Sequence, residues 1–194
     1  MEQSETYGIL INMDTKQNLE LKHRCDDFTQ IRTVLADIGA RKETVKQQKD
    51  YFFHLPKERI ASGARMKLRT EEGVMSLVYY ERPDFTADSD TSADIALLPA
   101  GEATLEFFKI ALGILAVVEK EREVWRKDHT VFHLDNVKEV GMIFEIEVQC
   151  AGKATEMDRK LFAEYQSRLT PLLGEVVTGS NVDLVLSAPS KKSE

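Results

Sequence analysis

The sequence predicts an α+β fold in which about eight antiparallel strands form a barrel, or tunnel, with helices packed on its outside. Three observations lead to this prediction. Charged and apolar residues alternate with a period of two in many short segments, which is typical of strands. Most of these segments are joined by short polar turns, which favour antiparallel neighbours. Only three segments repeat their apolar residues at helical spacing, and each therefore has one apolar face to place against the sheet.

A strand and a helix open the predicted fold. Residues 18–24 alternate as a strand. A run of apolar residues at helical spacing follows it: Phe28, Ile31, Leu35 and Ile38. Asp27 and Gln30 resemble a capping box at the start of this helix, and Gly39 is predicted to end it.

The next four segments are predicted strands. Residues 44–55 are expected to be extended, and they end in the aromatic run Tyr51-Phe52-Phe53. Residues 64–70 and 74–81 are expected to form a hairpin around a turn that contains glycine. A polar loop over residues 85–92 then leads to a short strand at residues 94–98.

Two helices and three strands complete the prediction. Residues 102–112 fit a helix that ends at Gly113. The three strands are residues 115–125, 130–135 and 142–149. Thr155 and Asp158 open the last helix as a capping box, and the helix ends before Pro171. Its predicted buried face consists of Met157, Leu161, Tyr165 and Leu169.

Length and composition predict one soluble domain. The 194 residues are expected to form a domain at residues 15–186, between an N-terminal extension at 1–14 and a disordered tail at 187–194. The net charge of −7 argues against a broad nucleic-acid-binding face, and the longest apolar run, 110–118, is too short to cross a membrane. Two cysteines without paired spacing, and no secretory signal, predict a reducing, cytoplasmic location.

The charged residues of four predicted strands are grouped on single faces. They are Glu20 and Lys22, then Arg65, Lys67 and Arg69, then Lys120 and Arg122, and finally Glu145 and Glu147. For any one of these strands, the grouping is explained by a solvated outer face with ion pairs. The same grouping on four strands favours a barrel interior lined by charged residues. Such an interior is costly to bury when it is empty, but it suits a polyphosphate bound with divalent cations.

On the sixth predicted strand, the acids Glu119, Glu121 and Glu123 face away from Lys120 and Arg122. Because these acids cannot neutralise them at close range, Lys120 and Arg122 are predicted to repel each other until a phosphate binds.

Several motifs occur in an order that resembles one protein family. They are Asn18-x-Glu20-x-Lys22, Lys67-Leu68-Arg69, Tyr79-Tyr80-Glu81-Arg82-Pro83, Glu119-Lys120-Glu121-Arg122, His133-Leu134-Asp135 and Glu145-Ile146-Glu147. The set is similar to the CYTH family of triphosphate tunnel enzymes, and most similar to its class IV adenylyl cyclase branch. Two departures stand out: Asn18 replaces an acid of the first motif, and residues 91–95 lack an expected basic residue.

The resemblance implies roles for these residues. The carboxylates would bind Mg²⁺ or Mn²⁺: Glu20, Glu145 and Glu147. The basic residues would contact the triphosphate: Lys22, Arg65, Lys67, Arg69, Arg82, Lys120 and Arg122. Lys22 and Asp135 are also candidate catalytic residues, Asp135 by orienting a basic residue or the metal, although a turn-stabilising role fits Asp135 almost as well. His133 is expected to be an exposed sheet residue.

The implied function is an enzyme that converts ATP to cyclic AMP and pyrophosphate. Two alternatives remain open: a metal-dependent triphosphatase acting on thiamine triphosphate, tripolyphosphate or a nucleotide, and a weakly catalytic module that binds nucleotides or polyphosphate. The expected partner is ATP or another triphosphate, without nucleic acid or membrane. A homodimer is compatible with the sequence.

Overall fold

The structure is a computed structural model that describes residues 14–81 and 90–188. Its strands are β1 (Asp14–Arg24), β2 (Arg41–Phe53), β3 (Ala64–Glu71), β4 (Val74–Glu81), β5 (Asp90–Ala100), β6 (Ile114–Lys127), β7 (Thr130–Val137) and β8 (Gly141–Cys150). Its α-helices are α1 (Thr29–Asp37), α2 (Lys57–Ala61), α3 (Glu102–Leu112), α4 (Glu156–Leu169) and α5 (Asn181–Ser187).

The eight strands close into a barrel in the order β1-β5-β4-β3-β2-β6-β7-β8, and every pairing is antiparallel. Closure occurs where β1 pairs with β8 on one side and β5 on the other. The predicted α+β barrel is therefore confirmed. The strand predicted at 94–98 is longer in the structure, where β5 also includes residues 90–92 of the expected loop. Residues 85–89 of that loop lie outside the described residues.

The main core lies between the barrel and two helices on its outer surface. The outward side chains of β1, β7 and β8 pack against α1 and α4, and the fully buried members include Leu21, Phe132, Phe144, Ile146, Ile31, Leu35, Tyr165 and Leu169. Burial of each such side chain contributes roughly 1.5–3 kcal/mol. A smaller core forms where α3 covers β2, β3 and β4 through Leu105, Phe53 and Leu68. β2 and β3 therefore turn their charged faces inward.

Helix α5 lies across one end of the barrel, not on its outside. Its buried Val182 packs against the inward side chains of four strands: Phe52, Val118, Val137 and Ile143. The helix begins with a capping box in which Asp183 Oδ2 accepts hydrogen bonds from Ser180 N and Ser180 Oγ, both at 2.8 Å. α5 thus closes one mouth of the tunnel. Neither α5 nor α2 was predicted, because helices of seven and five residues are too short to show a helical period.

Two local helix predictions are wrong. Met157 is 79% exposed, and Phe162 is buried instead. At 3.6 residues per turn, Met157 lies about 80° from Tyr165 and about 120° from Leu169 around the helix, outside the buried stripe. At the start of α1, Asp27 accepts hydrogen bonds from the backbone and hydroxyl of Thr29 and forms no capping box with Gln30.

The domain bounds of 15–186 stay a prediction, and the described elements extend one residue beyond each of them. β1 begins at Asp14, and α5 ends at Ser187. Residues 1–13 of the expected extension and 189–194 of the expected tail lie outside the described residues. No helix in the described part of the chain has the length and apolarity needed to cross a membrane. Both Cys25 and Cys150 are free thiols, and burial raises the pKa of Cys25 to about 12, which keeps it unreactive near neutral pH.

Candidate active site in the barrel interior

The barrel interior contains a cavity of about 950 Å³ lined by side chains from the strands and from the start of α5. Eight of the residues singled out in the sequence line it: Glu20, Lys22, Lys67, Arg69, Lys120, Arg122, Glu145 and Glu147. Asp135 is buried directly behind Lys120 and Arg122. Arg65 lies farther toward the closed end, where Nη2 is 3.5 Å from Asp183 Oδ1. Arg82 lies outside the described residues.

Asp135 is the centre of one cluster of charges. In register it lies opposite Arg122 on β6, and its Oδ1 and Oδ2 accept bonds of 2.6 Å from Arg122 Nε and Nη2. Lys120 Nζ donates to Oδ2 at 2.7 Å, and Asn181 Nδ2 of α5 donates at 3.3 Å. The prediction that Lys120 and Arg122 lack a neutralising acid is therefore wrong. Asp135 was a candidate for orienting a basic residue, but alternation along β6 cannot show which acid the neighbouring strand places opposite Arg122.

Asp50 of β2 organises a second cluster in the same way. Its carboxylate accepts bonds from Lys67 Nζ at 2.8 Å and from Arg69 Nε and Nη2 at 2.7 and 2.8 Å. Asp50 is only 3% exposed, and the nearby Lys67 and Arg69 hold its pKa well below the usual range although burial alone would raise it. Sequence reasoning missed Asp50. The available signal was the period of two that places Lys46, Gln48 and Asp50 on one face of β2.

A third cluster joins β1, β6 and β8. Glu145 Oε1 lies 3.2 Å from Lys22 Nζ, and Glu145 Oε2 lies 3.2 Å from Arg122 Nη2. Burial alone would raise the pKa of Glu145, but Lys22 and Arg122 hold it well below the usual range. Glu147 lies beside His133, with Nε2 and Oε1 at 3.6 Å. The expectation of an exposed His133 is wrong, since it is buried on the inner face of β7.

The predicted metal ligands are close to one another but do not converge on one point. Glu20 of β1 lies directly opposite Glu147 of β8, and both side chains point into the cavity. Facing carboxylates repel each other unless a cation lies between them, and their oxygens suit a hard divalent ion. Within the described residues, no three acidic, histidine or cysteine side chains are close enough together to hold a metal. Metal binding at Glu20, Glu145 and Glu147 thus stays a prediction that fits the donor chemistry.

Two cavity lysines have lowered pKa values. Burial lowers the pKa of Lys67 to about 7, with Arg69 and Lys120 adding to the effect and Asp50 opposing it. Burial and the neighbouring Arg122 lower the pKa of Lys120 to about 8, against the opposing charge of Asp135. Both ammonium groups therefore titrate close to neutral pH, where a bound anion would favour their charged forms.

We expect triphosphate affinity to fall as the pH rises from about 7 to about 9. Below this window Lys67 and Lys120 are charged and attract phosphate; above it they lose their protons, and each can cost up to about tenfold in affinity per pH unit. Calorimetric titration with tripolyphosphate across this range measures the effect. The Lys67→Arg variant keeps its charge and should show a smaller decline. An affinity that stays constant from about pH 6.5 to 9 would contradict the assignment.

Comparisons with known proteins agree with this architecture. The family model of the CYTH domain matches residues 16–180. No curated protein matched the sequence. Among solved structures, the PH1012 protein of Pyrococcus horikoshii superimposes with a TM-score of 0.69 at 23% identity, covering 86% of this chain and 98% of that one.

Two further structures share the fold at lower identity. A Vibrio parahaemolyticus protein provisionally described as an adenylate cyclase gives a TM-score of 0.63 at 16% identity, covering 88% of this chain and 98% of its own. A Hippeastrum protein provisionally described as an adenylyl cyclase, with a dominant triphosphatase activity, gives a TM-score of 0.62 at 12% identity. The match covers 88% of this chain and 95% of that one. The family match spans most of the chain and coincides with the closed barrel, so this chain belongs to the CYTH family.

Proposed function

We propose that this protein binds a triphosphate and a divalent cation, Mg²⁺ or Mn²⁺, inside the barrel and cleaves one phosphoanhydride bond of the triphosphate. The observation that carries the proposal is the convergence of basic side chains on one cavity: Lys22, Lys67, Arg69, Lys120 and Arg122. Lysine and arginine side chains are the usual protein ligands of phosphate oxygens.

The aspartates behind these cations support a binding role. Asp50 and Asp135 fix Arg69 and Arg122 through Nε and Nη2. A guanidinium has five N–H donors, so this pairing leaves Nη1 of each arginine for a phosphate oxygen. The donors are thus oriented before the ligand arrives, which lowers the entropic cost of binding.

The acidic side of the cavity would hold the cation. Glu20 and Glu147 face each other across β1 and β8, and Glu145 lies two residues away on the same face. A divalent cation bound there would neutralise charge on the phosphate oxygens during the reaction. Asn18, whose Nδ2 lies 3.4 Å from Glu20 Oε1, brings no charge of its own to a second cation.

Two reactions use this arrangement. In cyclisation, the 3′-hydroxyl of ATP attacks the α-phosphorus, the bond from that phosphorus to the bridging oxygen of the β-phosphate breaks, and pyrophosphate leaves. In hydrolysis, water attacks the terminal phosphorus, the bond from that phosphorus to the bridging oxygen breaks, and the diphosphate leaves as orthophosphate forms. The motifs that resemble class IV cyclases favour cyclisation, while the fold shared with the Hippeastrum triphosphatase makes hydrolysis the second candidate. Positioning and charge neutralisation supply the catalysis in both.

Product analysis distinguishes the two reactions. The protein is incubated with ATP, thiamine triphosphate and tripolyphosphate under Mg²⁺ or Mn²⁺. Cyclic AMP with pyrophosphate identifies a cyclase, and orthophosphate identifies a triphosphatase. Tight binding without any product would leave a binding module in place of an enzyme. Failure to bind any of the three compounds would refute the proposal.

We expect Glu147→Gln to raise the Mg²⁺ concentration for half-maximal activity by about tenfold or more, because a glutamine lacks the charge that a hard cation needs. Glu145→Gln should have a similar effect, with some loss of stability because Lys22 and Arg122 lose their buried partner. Glu121→Gln, on the outer face of β6, is the matched control and should leave the Mg²⁺ dependence unchanged. Wild-type activity of both variants at low Mg²⁺ would exclude this metal site.

A further inference from the structure

The inner faces of β1 and β8 carry three rungs, each formed by two residues that lie opposite each other in the β1–β8 register and line the cavity. From the closed end toward the open mouth, the inner, middle and outer rungs are Lys22 with Glu145, Glu20 with Glu147, and Asn18 with Gln149. The side chains therefore change along the cavity from an ion pair to two carboxylates to two neutral amides.

The middle rung is the one in which two carboxylates face each other. Glu20 and Glu147 repel each other unless a cation lies between them, and one divalent ion carries the charge that neutralises both. In the inner rung, Glu145 Oε1 is already 3.2 Å from Lys22 Nζ. Glu145 can therefore give an oxygen ligand to the ion of the middle rung, but its charge is shared with the lysine. The carboxylates of this face thus suit one divalent ion.

The outer rung brings no negative charge to a second ion. An ionised carboxylate only accepts hydrogen bonds, so Asn18 turns Nδ2, and not its amide oxygen, toward Glu20 Oε1 at 3.4 Å. On the other strand, the amide oxygen of Gln149 lies 3.5 Å from Arg126 Nη1. A second ion here would meet an N–H donor and a guanidinium, whereas a hard divalent cation needs carboxylate oxygens.

We propose that the protein binds one divalent cation per chain, between the carboxylates of the middle rung, and that the outer rung prevents a second ion from binding beside it. The inference rests on the proposed cation site and adds the number of ions and the residues that set this number. It follows that one ion and the basic side chains neutralise the triphosphate without help from a second ion. Asn18 then determines the metal stoichiometry without being a metal ligand.

The test is a titration of the protein with Mn²⁺ to saturation, in which electron paramagnetic resonance measures the free ion. The wild-type protein should bind one Mn²⁺ per chain, and Glu147→Gln should weaken that binding by about tenfold or more. Asn18→Asp keeps the side-chain shape and replaces Nδ2, 3.4 Å from Glu20 Oε1, with a carboxylate oxygen. Neighbouring oxygen ligands of one Mg²⁺ or Mn²⁺ lie roughly 3 Å apart, so this variant should bind a second Mn²⁺.

Gln17→Glu is the matched control, because it adds the same charge one residue earlier, on the opposite face of β1. It should bind one Mn²⁺, as the wild-type protein does. If Asn18→Asp does not fold by circular dichroism, Gln149→Glu adds a carboxylate to the outer rung from the other strand and should also bind a second ion.

The possible counts separate this inference from the proposed function. Two Mn²⁺ ions bound by the wild-type protein, or a single ion bound by both outer-rung variants, would show that the outer rung does not set the stoichiometry, while the proposed cation site would stand. No Mn²⁺ bound by the wild-type protein would mean that the proposed cation site itself has failed.

Discussion

Replacing Asp135 with alanine is expected to lower the free energy of unfolding by about 3–5 kcal/mol, because it leaves two buried cations without their shared partner. Asp135 is 1% exposed, and its carboxylate binds both Lys120 and Arg122 at 2.6–2.7 Å. Lys120 can become neutral by losing its proton, but the guanidinium of Arg122 stays charged. Urea unfolding followed by circular dichroism measures the change.

Glu119 provides a matched control on the outer face of β6. It also binds two lysines, Lys49 at 2.9 Å and Lys138 at 3.0 Å, but in solvent. Glu119→Ala should therefore cost less than about 1 kcal/mol. If Asp135→Ala does not fold, Asp135→Asn keeps an acceptor for Arg122 and should show an intermediate loss. Equal stabilities for Asp135→Ala and Glu119→Ala would mean that the interior cluster is fully hydrated.

Tripolyphosphate provides a second measurement on the same variant. In Asp135→Ala the ligand would take over the neutralising role of the missing carboxylate, so it should raise the melting temperature more than in the wild-type protein. An equal or smaller shift would show that phosphate does not reach Lys120 and Arg122.

The sequence was sufficient to predict which strand faces point inward, because a period of two leaves a strand only two choices. Lys120 and Arg122 had to share a face, as did Glu145 and Glu147. Because three predicted helices needed an apolar outer surface to pack against, the charged strand faces were predicted to point into the barrel. The same logic explains why Lys67 and Arg69 were placed correctly in the cavity.

The partners of these residues depend on strand register, which alternation does not determine. Asp135 meets Arg122, and Asp50 meets Arg69, only because β6–β7 and β2–β3 pair in one particular alignment. His133 was misassigned for a different reason: it shares the inner face of β7 with Asp135, and closure of the barrel buries that face. The position of helix α5 could not be predicted in this way. The sequence around Val182 is short and carries no pattern that indicates a helix covering the end of a barrel.

The paired aspartates also change how the basic residues must work. Lys120 and Arg122 are not held in a repulsive arrangement that waits for a ligand; Asp135 keeps them oriented at all times. A triphosphate therefore adds to an existing ion-pair network, and each cation contributes through the donors that its aspartate leaves unused. On this basis Arg122, which also contacts Glu145, connects the phosphate side of the cavity to the predicted metal side.

Arg122→Ala is expected to weaken triphosphate binding by about 2 kcal/mol, or roughly thirtyfold, as loss of a charge-assisted contact in a buried site should. Arg122→Lys should recover only part of this, because an ammonium cannot bind Asp135 with two donors and still reach the ligand. Calorimetric titration with a non-hydrolysable ATP analogue measures the affinity, and circular dichroism confirms that each variant is folded.

Three further variants decide how Arg122 acts: Arg32→Ala, Lys120→Ala, and Lys120→Ala combined with Arg122→Ala. Arg32→Ala, which removes an arginine bound to Glu123 outside the barrel, should leave the affinity unchanged. Lys120→Ala combined with Arg122→Ala should not show the sum of the single effects, because both residues bind the same carboxylate; a coupling of at least about 0.5 kcal/mol is expected. Unchanged affinity in Arg122→Ala would mean that triphosphate does not contact this face, and the basic side of the proposed site would lose its central residue.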